Sequence, residues 1–184
     1  MKQLLILSGK GGTGKTTIAS AFIKLSEAKA YADCDVDAPN LHLTVGWSLE
    51  PKRTDYFGLP KAEIDANRCT RCDLCRKHCR FDAILVKENY IVDPFACEGC
   101  AVCEFVCPAG AITMIPQVDG ELILYVDGKK VFSTGKLKMG SGTSGLLVTE
   151  VKKQMKEVAY AADVAIIDGS PGIGCPVIAS LSGV

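Results

Sequence analysis

The sequence of 184 residues has no surplus of either charge, with 21 Lys and Arg against 21 Asp and Glu. Gripping a phosphate backbone needs a basic field, so this balance argues against nucleic acid as a partner. Nor is there an apolar run near the eighteen or so residues of a membrane-spanning helix. A secretory leader is also missing: the opening offers only Leu4 to Leu7, between Lys2-Gln3 and a glycine loop, with no cleavage site behind it. The expected setting is cytoplasmic, reducing and free of membrane. Histidine is nearly absent, and His42 and His78 have no ligand spacing to each other or to a nucleophile, so both read as surface or packing residues. Aliphatic residues thin out between Pro60 and Pro116, where most of the cysteines lie. In a reducing setting clustered cysteines are metal ligands rather than disulfides.

What is present divides the chain into three segments. Residues 1–59 read as strand, glycine loop, helix (about Lys15 to Ala28) and a second strand near Ala30 to Asp33. That β-α-β opening predicts a parallel sheet with a right-handed crossover. Residues 60–116 form a separate, cysteine-rich module. Residues 117–184 resume with a hairpin, Glu121 to Val126 and Lys129 to Phe132 about Asp127-Gly128, the dipeptide suiting a tight turn. A glycine-serine loop from Gly135 to Gly145, a helix from Leu146 to about Ala161, an apolar strand Val164 to Ile167 and a loop Gly169 to Gly174 complete it. The fold class is α/β with a small inserted module, and Trp47 and Phe57 are expected at the joint between the two.

Directly after the first strand, Gly9-Lys10-Gly11-Gly12-Thr13-Gly14-Lys15-Thr16 fits G-x-x-x-x-G-K-[ST], the phosphate loop. Its glycines let successive backbone N–H groups turn onto a phosphate while the helix beginning at Lys15 aims its positive end there. Lys15 would neutralise β- and γ-phosphate oxygens, Thr16 would ligate Mg²⁺ through its hydroxyl, and Thr17 follows in the same turn. Asp33, Asp35 and Asp37 follow the second strand, and Asp168 ends the strand before Gly172. A carboxylate near the γ-phosphate suits a reaction whose main demand is orienting water and balancing charge. Aspartates after strands also cap turns, the simpler reading for Asp37.

The cysteines outside this core fall as Cys69, Cys72, Cys75, Cys79 and again as Cys97, Cys100, Cys103, Cys107. Asp65 matches Asp93 and Ala83-Ile84 matches Ala111-Ile112 at the same offset, so a whole unit is duplicated. Each half has the C-x₂-C-x₂-C-x₃-C spacing of a two-cluster bacterial ferredoxin, whose fourth cysteine ligates the other cluster. That resemblance assigns one 4Fe-4S cluster to Cys69, Cys72, Cys75 and Cys107 and the other to Cys97, Cys100, Cys103 and Cys79. A pair-plus-pair zinc site is the alternative, but it would not use three ligands in one loop. The first half departs from the pattern, with Arg80 where the second has Pro108, and with Arg68, Arg71, Arg76 and Lys77 on its rim. Cys34 and Cys175 lie outside the repeats and read as small buried thiols.

Lys10, directly after the first glycine, is the variant of the MinD/ParA/Mrp group of P-loop ATPases, to which the nitrogenase iron protein also belongs, and the chain resembles that group over nearly its whole length. The nearest resemblance is to its ATPases with an inserted ferredoxin domain; a label from the broader CobQ/CobB/MinD/ParA nucleotide-binding relatives would name no activity. The resemblance implies that Lys10 reaches a partner copy's nucleotide in an ATP-sandwich homodimer, and that Asp35 positions the attacking water. It further implies that Asp168 holds Mg²⁺ through water and that the Gly172 N–H senses the γ-phosphate. Strands and an adenine pocket follow Asp168 in such proteins, so the chain is expected to be a fragment. The function implied is an ATP-dependent iron–sulfur protein in which nucleotide gates electron transfer to a redox partner. A cluster carrier serving an apo-protein and a positioning ATPase of the MinD/ParA sort are the alternatives.

Overall fold

A computed structural model of the chain describes residues 1–47 and 49–184. They form two compact units: Met1–Tyr56 with Asp119–Met139 and Thr143–Val184, and Phe57–Val118 with Gly140–Gly142. The first is a six-stranded sheet built from β1 (Lys2–Ser8), β2 (Ala30–Asp33), β3 (Lys52–Phe57), β8 (Val118–Asp127), β9 (Lys130–Leu137) and β10 (Val164–Pro171), in the order β1-β10-β2-β9-β8-β3. Strands β1, β10, β2 and β9 are parallel, and β8 returns antiparallel to β9.

The period of two along a strand sorts the core into two layers. Tyr31, Phe132 and Ile166 point to one face, where they meet Ala19 and Ile23 of α1 (Lys15–Leu25) and Leu41 of α2 (Leu41–Val45). Ala30, Ala32, Ala165 and Ile167 point to the other, against Leu147, Val148, Val151 and Met155 of α5 (Ser144–Val158). Covered on both faces, β2 from Ala30 to Ala32 and β10 from Ala165 to Ile167 are buried without alternation. Helix α1 stops three residues before the expected Ala28 because Glu27 takes φ 51° and the Ala28 N–H bonds back to Ile23 O at 3.1 Å. This is the left-handed closure that ends many helices.

Four readings are corrected here. The segment from Gly135 is not all loop, since β9 runs through it to Leu137 in parallel register with β2. An edge strand, β3, extends the sheet with only Tyr56 buried, too polar a pattern to stand out. Helix α6 (Cys175–Leu181) follows the last loop and has no side-chain cap to announce it. Trp47 lies within the first unit's own core, against Tyr31, Tyr125 and Phe132 with ring centroids 5.4 to 6.2 Å away.

The second unit carries two antiparallel pairs, β4 (Lys61–Ile64) with β7 (Ile112–Ile115) and β5 (Ile84–Val86) with β6 (Tyr90–Val92). Two short helices, α3 (Leu74–His78) and α4 (Val102–Phe105), sit in the long connections. Each pair joins a strand of one half-sequence to a strand of the other. The Asp65 N–H donates to Ala111 O and the Asp93 N–H to Ala83 O, both at 2.8 Å, so the duplication is crossed in its hydrogen bonds as well. Left-handed residues recur in step: Arg71 and Gly99, Asp73 and Ala101, Asp82 and Gly110. Such residues turn successive N–H groups toward one side of a loop.

Candidate phosphate and thiolate sites

The glycine loop leaves the carboxyl end of β1 and enters α1, the end of an open parallel sheet where ligands bind. Gly12 and Gly14 have φ 73° and 85°, values that a side chain would strain. The loop borders a cavity of about 240 Å³ lined by Lys10 to Thr17 together with Ser8, Asp35, Asn40 and Pro171. A larger one of about 760 Å³ lies at the opposite strand ends, beside Lys24, Lys29, Trp47 and Lys130. Its residues carry no phosphate motif, so the smaller cavity is the candidate.

Beneath the loop Lys15 Nζ donates to Asp168 Oδ1 at 3.0 Å, with both side chains buried. Oδ2 of Asp168 is also buried and has no hydrogen-bond partner among the described residues. A buried carboxylate oxygen is costly to leave without a donor or cation, so a cation would fit here. The three aspartates after β2 part company. Asp33 is fully buried and accepts the N–H groups of Asp35, Asn40 and Leu41 at 3.0, 2.9 and 2.9 Å. It thus organises the loop from within. Asp35 lines the cavity, and burial pushes its carboxyl up while Lys15 pulls it down. Asp37 is exposed and lies outside the cavity lining.

Two expected contributors stand apart. Gly9 does not line the cavity, and the Gly172 N–H is engaged at 3.0 Å by Ser8 O. Asn40 and Pro171 line it without having been singled out; Asn40 closes the Asp-x-Asp segment and precedes α2, a local cue that could have found it. Cys34 is buried, as expected, and burial first of all pushes its thiol up to about 12. Cys175 is exposed at the start of α6, against the reading of a buried thiol. Lys152, which the sequence did not flag, is buried on α5 and donates to Ala179 O, Ser180 O and Ser182 O at 3.3, 2.5 and 2.6 Å. It ties down the carboxyl end of α6, where helix carbonyls lack partners.

In the second unit the eight cysteines of the repeats separate into two sets. Cys69, Cys72, Cys75 and Cys107 line one cavity and Cys79, Cys97, Cys100 and Cys103 line another, each of about 20 Å³. The fourth member of each set therefore comes from the other half of the repeat. Burial raises the Cys75 thiol, and Cys69, Cys72 and Cys107 raise it further. Burial likewise raises Cys103, with Cys97 and Cys100 adding to it. The Ala111 N–H points to Cys107 Sγ at 3.3 Å. Among the described residues no three His, Cys, Asp or Glu side chains converge as the ligands of one ion would. A single zinc holds its thiolates within about 3.8 Å of one another, given a Zn–S bond near 2.3 Å.

Comparison with known proteins places this geometry. Residues 4–181 match the model of the CobQ/CobB/MinD/ParA nucleotide binding domain. An uncharacterized protein of Methanocaldococcus jannaschii is 35% identical over 185 residues, covering 99% of this chain and 64% of that protein. The chain thus spans less than two thirds of the length of that curated relative. An uncharacterized ferredoxin-like protein of Haemophilus influenzae is 37% identical over 54 residues, 26% of this chain and 63% of its own length. Among solved structures, the septum site-determining protein MinD of Pyrococcus horikoshii, complexed with Mg-ADP, matches at 18% identity and a TM-score of 0.42, over 98% of this chain and 53% of that one. No described helix is long and apolar enough to cross a membrane.

Proposed function

The chain belongs to the CobQ/CobB/MinD/ParA nucleotide binding domain family, and on that premise we propose that it is an ATP-binding iron–sulfur protein. In this reading nucleotide binding and hydrolysis gate electron transfer through two 4Fe-4S clusters. The observation that supports it is the pairing, in one chain, of a buried Lys15–Asp168 couple under a glycine loop with two four-cysteine cavities.

On the nucleotide side, the backbone from Lys10 to Thr17 receives the phosphates and Lys15 turns from Asp168 toward the β- and γ-oxygens. Mg²⁺ supplies neutralisation of the charge that develops on those oxygens. Thr16 and Asp168 are the residues that would hold it, and the buried Asp168 Oδ2, without a partner among the described residues, suits that role. Asp35 orients the attacking water, and its raised carboxyl makes it a better acceptor of that water's proton than an exposed aspartate. Asp33 keeps Asp35 in place through the three N–H bonds it accepts. Lys10, exposed at the cavity mouth, reaches the nucleotide of a second copy in a homodimer. Gly172 exchanges Ser8 O for the γ-phosphate, which couples β10 to the nucleotide state. The products are ADP and phosphate.

On the redox side, residues 60–116 form an inserted ferredoxin-like domain between residues 1–59 and 117–184 of the ATPase. Cys69, Cys72, Cys75 and Cys107 hold one cluster; Cys79, Cys97, Cys100 and Cys103 hold the other. A cluster takes one thiolate per iron, so its four ligands stand wider apart than those of a lone ion. The clusters supply one-electron storage, and the chain's part is to hold thiolates, exclude water and shape the exit.

The test is anaerobic purification of the full-length protein with iron and sulfide counts and EPR, with and without Mg-ATP. About eight irons and eight sulfides per chain are expected, with reduction potentials or electron-transfer rates that change on adding Mg-ATP. Loaded clusters indifferent to ATP would refute the gating; absence of iron would refute the whole reading.

A further inference from the structure

The two halves of the thiolate unit are built alike and finished differently. From Arg68 to Arg80 the first half carries Arg68, Arg71, Arg76, Lys77 and Arg80 against one acid, Asp73; the matching residues 96–108 carry Glu98 and Glu104 and no cation. The cations are exposed, and one of them borders the first cavity. Arg71 lines it, as does Asp73, which holds Arg76 in a two-pronged ion pair at 2.7 and 2.6 Å. Arg68 reaches the Ala109 carbonyl at 3.3 Å, two residues from Cys107, and Lys77 stands one residue beyond Arg76 on α3.

The halves also differ in cover. In each set the middle cysteine, Cys72 or Cys100, is the exposed one. Around the second loop the space is taken: a Cβ on Gly99 would stand 2.5 Å from Pro60 O and 3.0 Å from Leu59 Cβ, one on Gly142 would meet Glu98 at 3.4 Å, and one on Gly140 would meet Phe95 at 2.9 Å. At the equivalent of Gly99 the first loop carries Arg71, a long side chain that the same left-handed backbone would not favour. It is accommodated there, facing Asn89 Oδ1 at 2.9 Å. Residues 59–60 and 140–142 thus lie beside the second loop, while the first loop, with Cys72 exposed as Cys100 is in the second, carries the exposed cations.

We propose that this basic loop around Cys72 is the docking surface for an acidic one-electron carrier protein. The inference rests on the reading of the thiolate sets as cluster sites. Electrostatic complementarity speeds and orients encounters, and redox pairs need only small interfaces, below about 1,200 Å², so a rim of four or five cations suffices. One electron leaves the carrier, which is oxidised by one, and the iron–sulfur group on Cys69, Cys72, Cys75 and Cys107 is reduced by one; no bond or proton need move. A nucleic acid is the lesser fit, because the chain as a whole has no net charge.

The experiment uses the anaerobic, iron-loaded full-length protein and a strongly acidic plant-type two-iron ferredoxin as probe, with binding followed by calorimetry at two ionic strengths. The wild type should bind more weakly as salt rises. The double variant Arg68→Glu/Lys77→Glu should lose roughly tenfold in affinity, as expected for four charge units at exposed-pair strength. Arg68→Gln/Lys77→Gln should lose less, and Glu104→Lys in the other half should lose nothing. Iron content measured on every variant keeps loss of the clusters distinct from loss of docking. Equal binding by all variants at full iron content, or a single-stranded oligonucleotide that binds in place of the ferredoxin and is lost in the same variant, would overturn the proposal while leaving the cluster reading intact.

Discussion

Among single residues, Asp33 illustrates how burial and hydrogen bonding divide the control of one carboxylate. It is fully buried at the end of β2, and its two oxygens take three backbone N–H groups. Those bonds favour the charged form. Burial outweighs them, and with the Asp168 charge nearby the carboxyl is pushed up to about 6. The native state then holds a proton between about pH 4 and 6 that the unfolded chain has released, so this residue's contribution to stability is greatest below that window and falls as pH rises through it. An asparagine cannot titrate, and it would turn an NH₂ toward the N–H groups of Asn40 and Leu41. The variant Asp33→Asn should therefore be less stable by about 1–3 kcal/mol at pH 5. Its deficit should shrink by roughly 1 kcal/mol between pH 5 and 7.5. Urea unfolding followed by the fluorescence of Trp47, the one tryptophan, measures both; a deficit constant with pH would show that Asp33 does not titrate in this range.

Elements explain why part of this fold could be read beforehand and part could not. The phosphate loop, α1, β2 and β10 were legible because buried parallel strands are short apolar runs and the loop between β1 and α1 has a fixed chemistry. The thiolate loops were legible because a repeat states itself twice. Gly135 misled: a glycine beside serine and threonine signals a loop, yet here it lies inside β9, where α5 crosses. A Cβ at Gly135 would stand 3.0 to 3.1 Å from Leu147 Cδ1, Leu147 Cγ and Val151 Cγ2, so the residue is absent of side chain because a helix occupies the place of one. Packing of that kind leaves no periodic trace. Neither does Lys152, since a buried lysine is rare and its carbonyl partners lie on α6. The variant Gly135→Ala should force α5 outward and cost about 1–3 kcal/mol, the usual penalty for overfilling a core. A lowered urea midpoint without a change in slope checks it, whereas an unchanged midpoint would mean that α5 yields freely.

Taken as a whole, the molecule joins a unit with a real core to one with hardly any. The nucleotide-binding unit buries two layers of side chains about its sheet. The buried residues of the thiolate unit are Ala62, Ala83, Ile84, Ala111 and Ile112 together with Cys75 and Cys97, and its strands are three or four residues long. A unit of about sixty residues is marginal even with a full core and usually needs a staple. Its left-handed residues without glycine's freedom, Arg71, Asp73, Asp82 and Ala101, add strain of order 1 kcal/mol each. It follows that the two units should part in stability once iron is removed. Treating the full-length protein with an iron chelator under reductant should leave the amides of β1, β10 and β2 protected from hydrogen exchange, because their hydrogen bonds are buried between two helix layers. Protection at 61–64 and 112–115 should fall by on the order of a hundredfold or more, toward the rates of an unfolded segment. If those amides stay protected after all iron is gone, the thiolate unit is held by its own packing, and the clusters are guests in it rather than its core.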